Sequence, residues 1–152
     1  MTKKNKKNAF TLVELLIVIA IIGIITIIAS SSFVSAQKKS RDASRKASLK
    51  SLSDALNMYY SDFGLFPSSS SITYGGQLMS GNVVYMKKIP TETAKAVKQF
   101  YYQVSPTQKS FRLYANLENS DDNDCLTCPD YSVSSGCCYM ITSSNANINS
   151  LP

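Results

Sequence analysis

The chain has 152 residues and a formal charge of +6, with no histidine and no tryptophan. This length supports one modest domain with a small core once an amino-terminal apolar segment is set aside. Without histidine there is no imidazole base, and neither a phosphate-binding glycine loop nor a nucleophile elbow occurs, so catalysis finds no support. The positive charge is concentrated in two blocks. Lys3, Lys4, Lys6 and Lys7 form the first, and Lys38, Lys39, Arg41, Arg45, Lys46 and Lys50, against Asp42, form the second. From Ser51 onward eight acidic residues outnumber six basic ones. The basic blocks lack interleaved aromatics and a recognised DNA-reading motif, which argues against a nucleic-acid face.

The first predicted element is the apolar run that starts at Phe10 and reaches Ala29 with a single charge, Glu14. A carboxylate at mid-helix depth in a bilayer costs roughly 2.5 to 3.5 kcal/mol on insertion scales, so it is read as a functional group with a partner. Cleavage between Ala9 and Phe10 would supply one, because the new α-amino group is positive near neutral pH and can meet Glu14 of a neighbouring copy. Two plainer readings stand beside this one. A basic start, an apolar core and Val34-Ser35-Ala36 also outline a secretory signal and hence a secreted soluble binding module, although the run exceeds the usual ~7 to 15 residues. The other is a plain single-span anchor, which gives Glu14 no purpose.

The stretch Lys6-Lys7-Asn8-Ala9-Phe10-Thr11-Leu12-Val13-Glu14-Leu15-Leu16 resembles the class III signal of type IV prepilins and type II secretion pseudopilins. The resemblance implies cleavage between Ala9 and Phe10 by a prepilin peptidase and N-methylation of the Phe10 amine. It also implies assembly through Phe10 and Glu14 into a homo-oligomeric helical filament, with Leu12 and residues 15–28 in the filament core. The implied partners are an inner-membrane assembly platform with a motor ATPase, and the membrane itself before assembly. Gly23 falls where many pseudopilins also carry glycine. The family usually has glycine where this chain has Ala9, and often proline where it has Ser31, so a usual cause of a helix kink is absent. Basic residues flank the run on both sides, and the positive-inside rule alone gives no orientation. The leader resemblance places the amino terminus in the cytoplasm and the rest outside, as a single-pass protein that passes into an extracytoplasmic filament.

The helical pattern continues beyond Phe33, with no glycine or proline until Gly64 and Pro67. Leu49, Leu52, Leu56, Tyr59 or Tyr60, and Phe63 recur at three- and four-residue spacing and form one apolar stripe. A continuous helix over residues 10–62 would be ~80 Å long. Its basic block has three readings: contact with lipid headgroups before extraction, contact with acidic groups of adjacent subunits afterwards, or a solvated helix face. Residues 63–67 end the helix, and a polar loop opens at Ser68 and runs through Gly75-Gly76. Residues 54–67 and Met86-Lys87-Lys88-Ile89-Pro90-Thr91 are similar to landmarks of major pseudopilins, without the tryptophan-containing continuation often found there.

From Gln99 the period changes to two. Phe100, Tyr102 and Val104, a turn at Pro106-Thr107-Gln108-Lys109, then Phe111, Leu113, Ala115 and Leu117 predict an antiparallel hairpin laid on the helix. Residues 139–142 predict a further strand, residues 94–98 a short helix or part of the approach, and the tail after Ser143 loose order. Cys125, Cys128, Cys137 and Cys138 predict two disulfides in an oxidising compartment, with three pairings open and a four-thiolate zinc site as the competing reading. Glu118, Asp121, Asp122, Asp124 and Asp130 make an acidic loop of the hard oxygen ligands calcium prefers. The resemblance implies calcium at Asp121, Asp122 and Asp124, and a solvated acidic loop is the alternative; no cofactor is required.

The expected fold is α+β and pilin-like, a long amino-terminal helix packed on a small antiparallel sheet with a disulfide-stapled carboxyl-terminal loop. Its parts are a leader (1–9), a transmembrane and filament-core helix (10–33), an amphipathic continuation (34–63) and a globular head (64–152). The expected function is structural: a major pseudopilin-like subunit of type II secretion, or a type IV pilin for adhesion, motility or DNA uptake. Nucleic acid enters only in the last of these uses.

Overall fold

The computed structural model describes residues 10–92, 99–128 and 137–144, and only the backbone of residues 28–32. With no proline and one glycine between them, Leu12–Phe63 form a single 52-residue helix, α1, unbroken at Ser31. Gly64 ends it: at φ 67° its N–H donates to the Tyr60 carbonyl at 2.7 Å, a left-handed cap that glycine adopts without a Cβ clash. The chain separates into two units, Met1–Gln37 and Lys38–Pro152, so the later part of α1 belongs to the compact head.

In the first unit the apolar side chains from Phe10 to Ile27 are exposed, Leu12 by 80% and Ile27 by 77%. Among the described residues no helix is long and apolar enough to cross a membrane.

In the second unit α1 is followed by a short 3-10 turn, Ser69–Ser71, and five strands: β1 (Leu78–Ser80), β2 (Val83–Met86), β3 (Tyr101–Val104), β4 (Phe111–Asn116) and β5 (Cys138–Thr142). β1 and β2 form an antiparallel hairpin, and β3-β4-β5 a three-stranded antiparallel sheet with Tyr102 opposite Leu113 and Leu113 opposite Ile141. The predicted stripe is the core. Leu49, Leu52 and Leu56 are fully buried in one cluster with Phe66, Ile89, Phe100, Tyr102, Phe111, Leu113 and Ala115. Tyr59 and Tyr60 are partly buried on it, whereas Phe63 is about half exposed.

Three features differ from the sequence-based expectation. The β1–β2 hairpin lies where a loop leads into the Met86 landmark; Gly81, at φ 56°, takes the first central position of its two-residue turn, where a II′ turn requires glycine. Tyr85 of β2 packs its ring on Tyr59 and donates its hydroxyl to Asp62 at 2.6 Å, which pushes the phenol up to about 12. Finally, β4 is buried on both faces. Phe111, Leu113 and Ala115 meet the helix-side core, while Tyr114 joins Cys128, Cys138 and Met140 in a second cluster on the other face. The predicted helix at residues 94–98 and the tail from residue 145 lie outside the described residues.

Candidate assembly site

Ala9 lies outside the described residues, and Phe10 leads into α1 with its side chain 70% exposed. Thr11 caps the helix: its hydroxyl oxygen accepts the Glu14 N–H at 3.2 Å, and the hydroxyl donates to Glu14 Oε2 at 3.4 Å. Thr11-Leu12-Val13-Glu14 thus forms a reciprocal pair like a capping box, with the carboxylate at the positive end of the helix dipole. The serine/threonine-x-x-glutamate spacing was the available signal for this role of Thr11. Both residues remain exposed, so Glu14 keeps acceptor capacity for a cation from outside the chain. At Gly23 a Cβ would meet nothing within 4 Å, so this chain's own packing does not require glycine there.

The second basic block has a different fate from a solvated face. Asp42 is 1% exposed and accepts the backbone N–H groups of Glu118 (3.0 Å) and Asn119 (2.9 Å), together with Arg45 Nη1 at 2.6 Å. Arg45, itself 5% exposed, also reaches Glu92 and Glu118, the latter at 2.6 Å. Arg41 grips Glu118 from the other side, with Nε at 2.9 Å from Oε1. These contacts hold the Glu118 carboxyl down at about 2, through the Arg41 hydrogen bond first and Arg45 second, against the opposing effect of burial. Burial alone would lower the Arg45 pKa, but hydrogen bonds to Glu92, Glu118 and Asp42 raise it above the ordinary value. A buried charge needs this degree of pairing, since an unpaired one costs several kcal/mol.

Lys46 extends the cluster. Its ammonium donates to Asp122 Oδ1 and, at 2.7 Å, to Asp124 Oδ2, and lies 5.3 Å from the centre of the Tyr139 ring. The Asp122 carboxyl is held below its usual range, chiefly by that hydrogen bond. The structure therefore brings Asp122 and Asp124 together on a lysine. Asp121 is exposed, Asp130 lies outside the described residues, and among the described residues no three carboxylates or thiols are placed to hold a metal ion.

The cysteines pair as Cys125–Cys137 and Cys128–Cys138, with Cα separations of 5.2 and 6.2 Å. Both lie in the ordinary disulfide range. With all four sulfurs bonded no thiolate is left, which removes the zinc reading. Between the two bridges Leu126 and Cys138 exchange backbone hydrogen bonds of 2.9 and 3.0 Å, so the loop runs beside the sheet edge.

The first unit thus carries an exposed apolar helix with a capped amino-terminal carboxylate, and the second is closed by ion pairs and two disulfides. Residues 4–30 match the family profile of the prokaryotic N-terminal methylation motif. The amino-terminal segment carries that motif. The type IV major pilin protein PilA of Myxococcus xanthus (strain DK1622) is 40% identical over 63 residues, which make up 41% of this chain and 29% of that protein. The chain therefore spans less than a third of the length of this pilin. No solved structure matches. Ala9, Phe10 and Glu14 all fall within the matched residues, and the cleavage, methylation and assembly roles expected of them belong to the proposal below.

Proposed function

We propose that the chain is a structural subunit of a type IV filament and not an enzyme. The observation that carries this reading is the methylation-motif segment on an apolar helix whose side chains from Phe10 to Ile27 are exposed among the described residues. Exposed apolar surface on this scale calls for lipid or protein around it. A peptidase removes residues 1–9, and methylation leaves a cationic secondary amine on Phe10. Before assembly the helix spans the cytoplasmic membrane with the head outside; afterwards residues 12 and 15–28 pack against neighbouring copies. The Phe10 amine of one subunit meets Glu14 of the next, which offsets the cost of burying that carboxylate and sets the axial register. Extraction from the bilayer is the work of an assembly platform and its motor.

Glu14→Leu tests the pairing. The variant is expected to fractionate with the membrane as the parent does while electron micrographs show filaments reduced at least about tenfold, the loss of roughly 1.4 kcal/mol or more per contact. Normal filaments would overturn the charge pairing. Between the two uses, a surface pilus is favoured by the similarity to the Myxococcus major pilin and by the two-disulfide loop, beside which Lys46 pairs with Asp122 and Asp124. A secretion pseudopilus remains the second reading on the strength of residues 54–67 and 86–91. Long filaments on the cell surface support the first; short ones confined beneath the envelope, with a secretion defect on deletion, support the second.

A further inference from the structure

Six cations follow the apolar run between residues 38 and 50, on the side where the positive-inside rule disfavours them. Four are engaged within the head: Arg41 with Glu118, Arg45 with Asp42, Glu92 and Glu118, Lys46 with Asp122 and Asp124, and Lys50 with Asp54. Lys38 and Lys39 are not. Both are exposed, and among the described residues neither forms an ion pair. Asp42, the one acid in this stretch, is buried under Arg45 and turned to the backbone of Glu118 and Asn119, so it does not neutralise them. Lys39 borders a shallow hollow with Asn119, Asp121, Asp122 and Asn123, of which Asp122 is already bound to Lys46.

The position of the two lysines is as specific as their exposure, although Lys39 also feels the field of Asp122. From Leu12 to Phe33 a helix rises roughly 32 Å, close to the ~30 Å hydrocarbon thickness of a bilayer. Lys38 comes roughly 7 Å later, inside the headgroup layer that brings the bilayer to ~40–45 Å. Their long stems also let the ammonium groups adjust in depth while staying among polar groups.

We infer that Lys38 and Lys39 form an anionic-lipid contact that holds the outer end of the helix at the phosphate layer until the subunit is extracted. The contact rests on the reading of the apolar run as a membrane anchor. Its ligand is the phosphodiester of an anionic phospholipid, whose negative charge the two ammonium groups complement. Each basic residue near such a surface contributes about 1 kcal/mol, or about fivefold.

The test uses full-length protein in vesicles of equal parts phosphatidylglycerol and phosphatidylcholine, with either lipid spin-labelled. Motionally restricted phosphatidylglycerol is expected to exceed restricted phosphatidylcholine severalfold, in phosphate buffer as in any other. Lys38→Gln with Lys39→Gln lowers the ratio severalfold, and the leader lysines, present in every variant, account for the selectivity that stays. Lys87→Gln with Lys88→Gln, two exposed lysines beyond β2, leaves it unchanged and controls for net charge. Equal association of both lipids with the parent overturns the inference, as does an equal fall for the two double variants or loss of selectivity in phosphate. A Lys38/Lys39 variant that keeps its lipid selectivity but fails to form filaments assigns the pair to a subunit contact instead. Protein that does not float with the vesicles sinks the anchor reading itself; protein that floats without selectivity sinks this inference alone.

Discussion

Asp42 and Arg45 occupy adjacent turns of α1 and are buried together, so each is the other's compensation as well as a clamp on residues 118–119. Replacing Asp42 by Ala is expected to cost about 3–5 kcal/mol in urea unfolding, because it leaves Arg45 short of a partner and two backbone N–H groups without an acceptor. A loss within 0.5 kcal/mol would show that the cluster is incidental. The Glu118 carboxyl titrates at about 2 in the folded chain, below the ~4.3 of an unperturbed glutamate. A depressed pKa contributes stability that is complete above the unfolded value and disappears as pH falls through the folded one. The thermal midpoint is therefore expected to stay level from neutral pH to about 5 and then decline toward pH 2, and Glu118→Gln is expected to flatten that acid limb. Glu14 stood out in the sequence as the single charge in an apolar run. Asp42 was not legible. A single acid among six cations reads as a solvated face, and the i, i+3 spacing to Arg45 shows a pair only once the 118–119 backbone is known to arrive there.

Among the elements, α1 was readable almost to its ends because a chain without proline, an apolar stripe at helical spacing and Gly64 all point the same way. The β3–β4 hairpin was readable for a similar reason, with alternation on both sides of a turn. Its turn includes Gln108 at φ 54°, a left-handed position for a non-glycine residue. Gln108→Gly is expected to shift stability by no more than about 1 kcal/mol, the relief of strain being offset by the greater freedom of glycine in the unfolded chain. The β1–β2 hairpin escaped notice because its strands are three and four residues long and the register shifts between Leu78 and Met79. Burial of both faces of β4 was hidden for another reason: Arg112, Tyr114 and Asn116 look like an outward row until Cys128 and Cys138 are seen to pack with Tyr114. Replacing Cys128 and Cys138 by Ser should accordingly cost about 2–4 kcal/mol and speed exchange of the β5 amides. Unchanged protection of β5 would mean that the bridge does not hold the loop on the sheet.

At the level of the whole molecule, the first unit exposes an apolar helix while the second encloses its own core and buries the charged residues Asp42, Arg45 and Arg112. Such a division suits a protein whose amino-terminal half is completed by lipid and then by copies of itself. Sequence motif and geometry contribute differently to that account. The residue 4–30 motif identifies the kind of amino terminus, and the geometry shows that the neighbouring basic block is largely consumed inside the head. What the filament carries is set by surfaces and partners that one chain does not contain. The central claim depends on where the mature protein begins, and mass spectrometry of the amino-terminal peptide from the assembled or membrane-bound protein measures this directly. The account predicts a first residue of Phe10 bearing one N-methyl group; a mature chain beginning at Gln37 would contradict it.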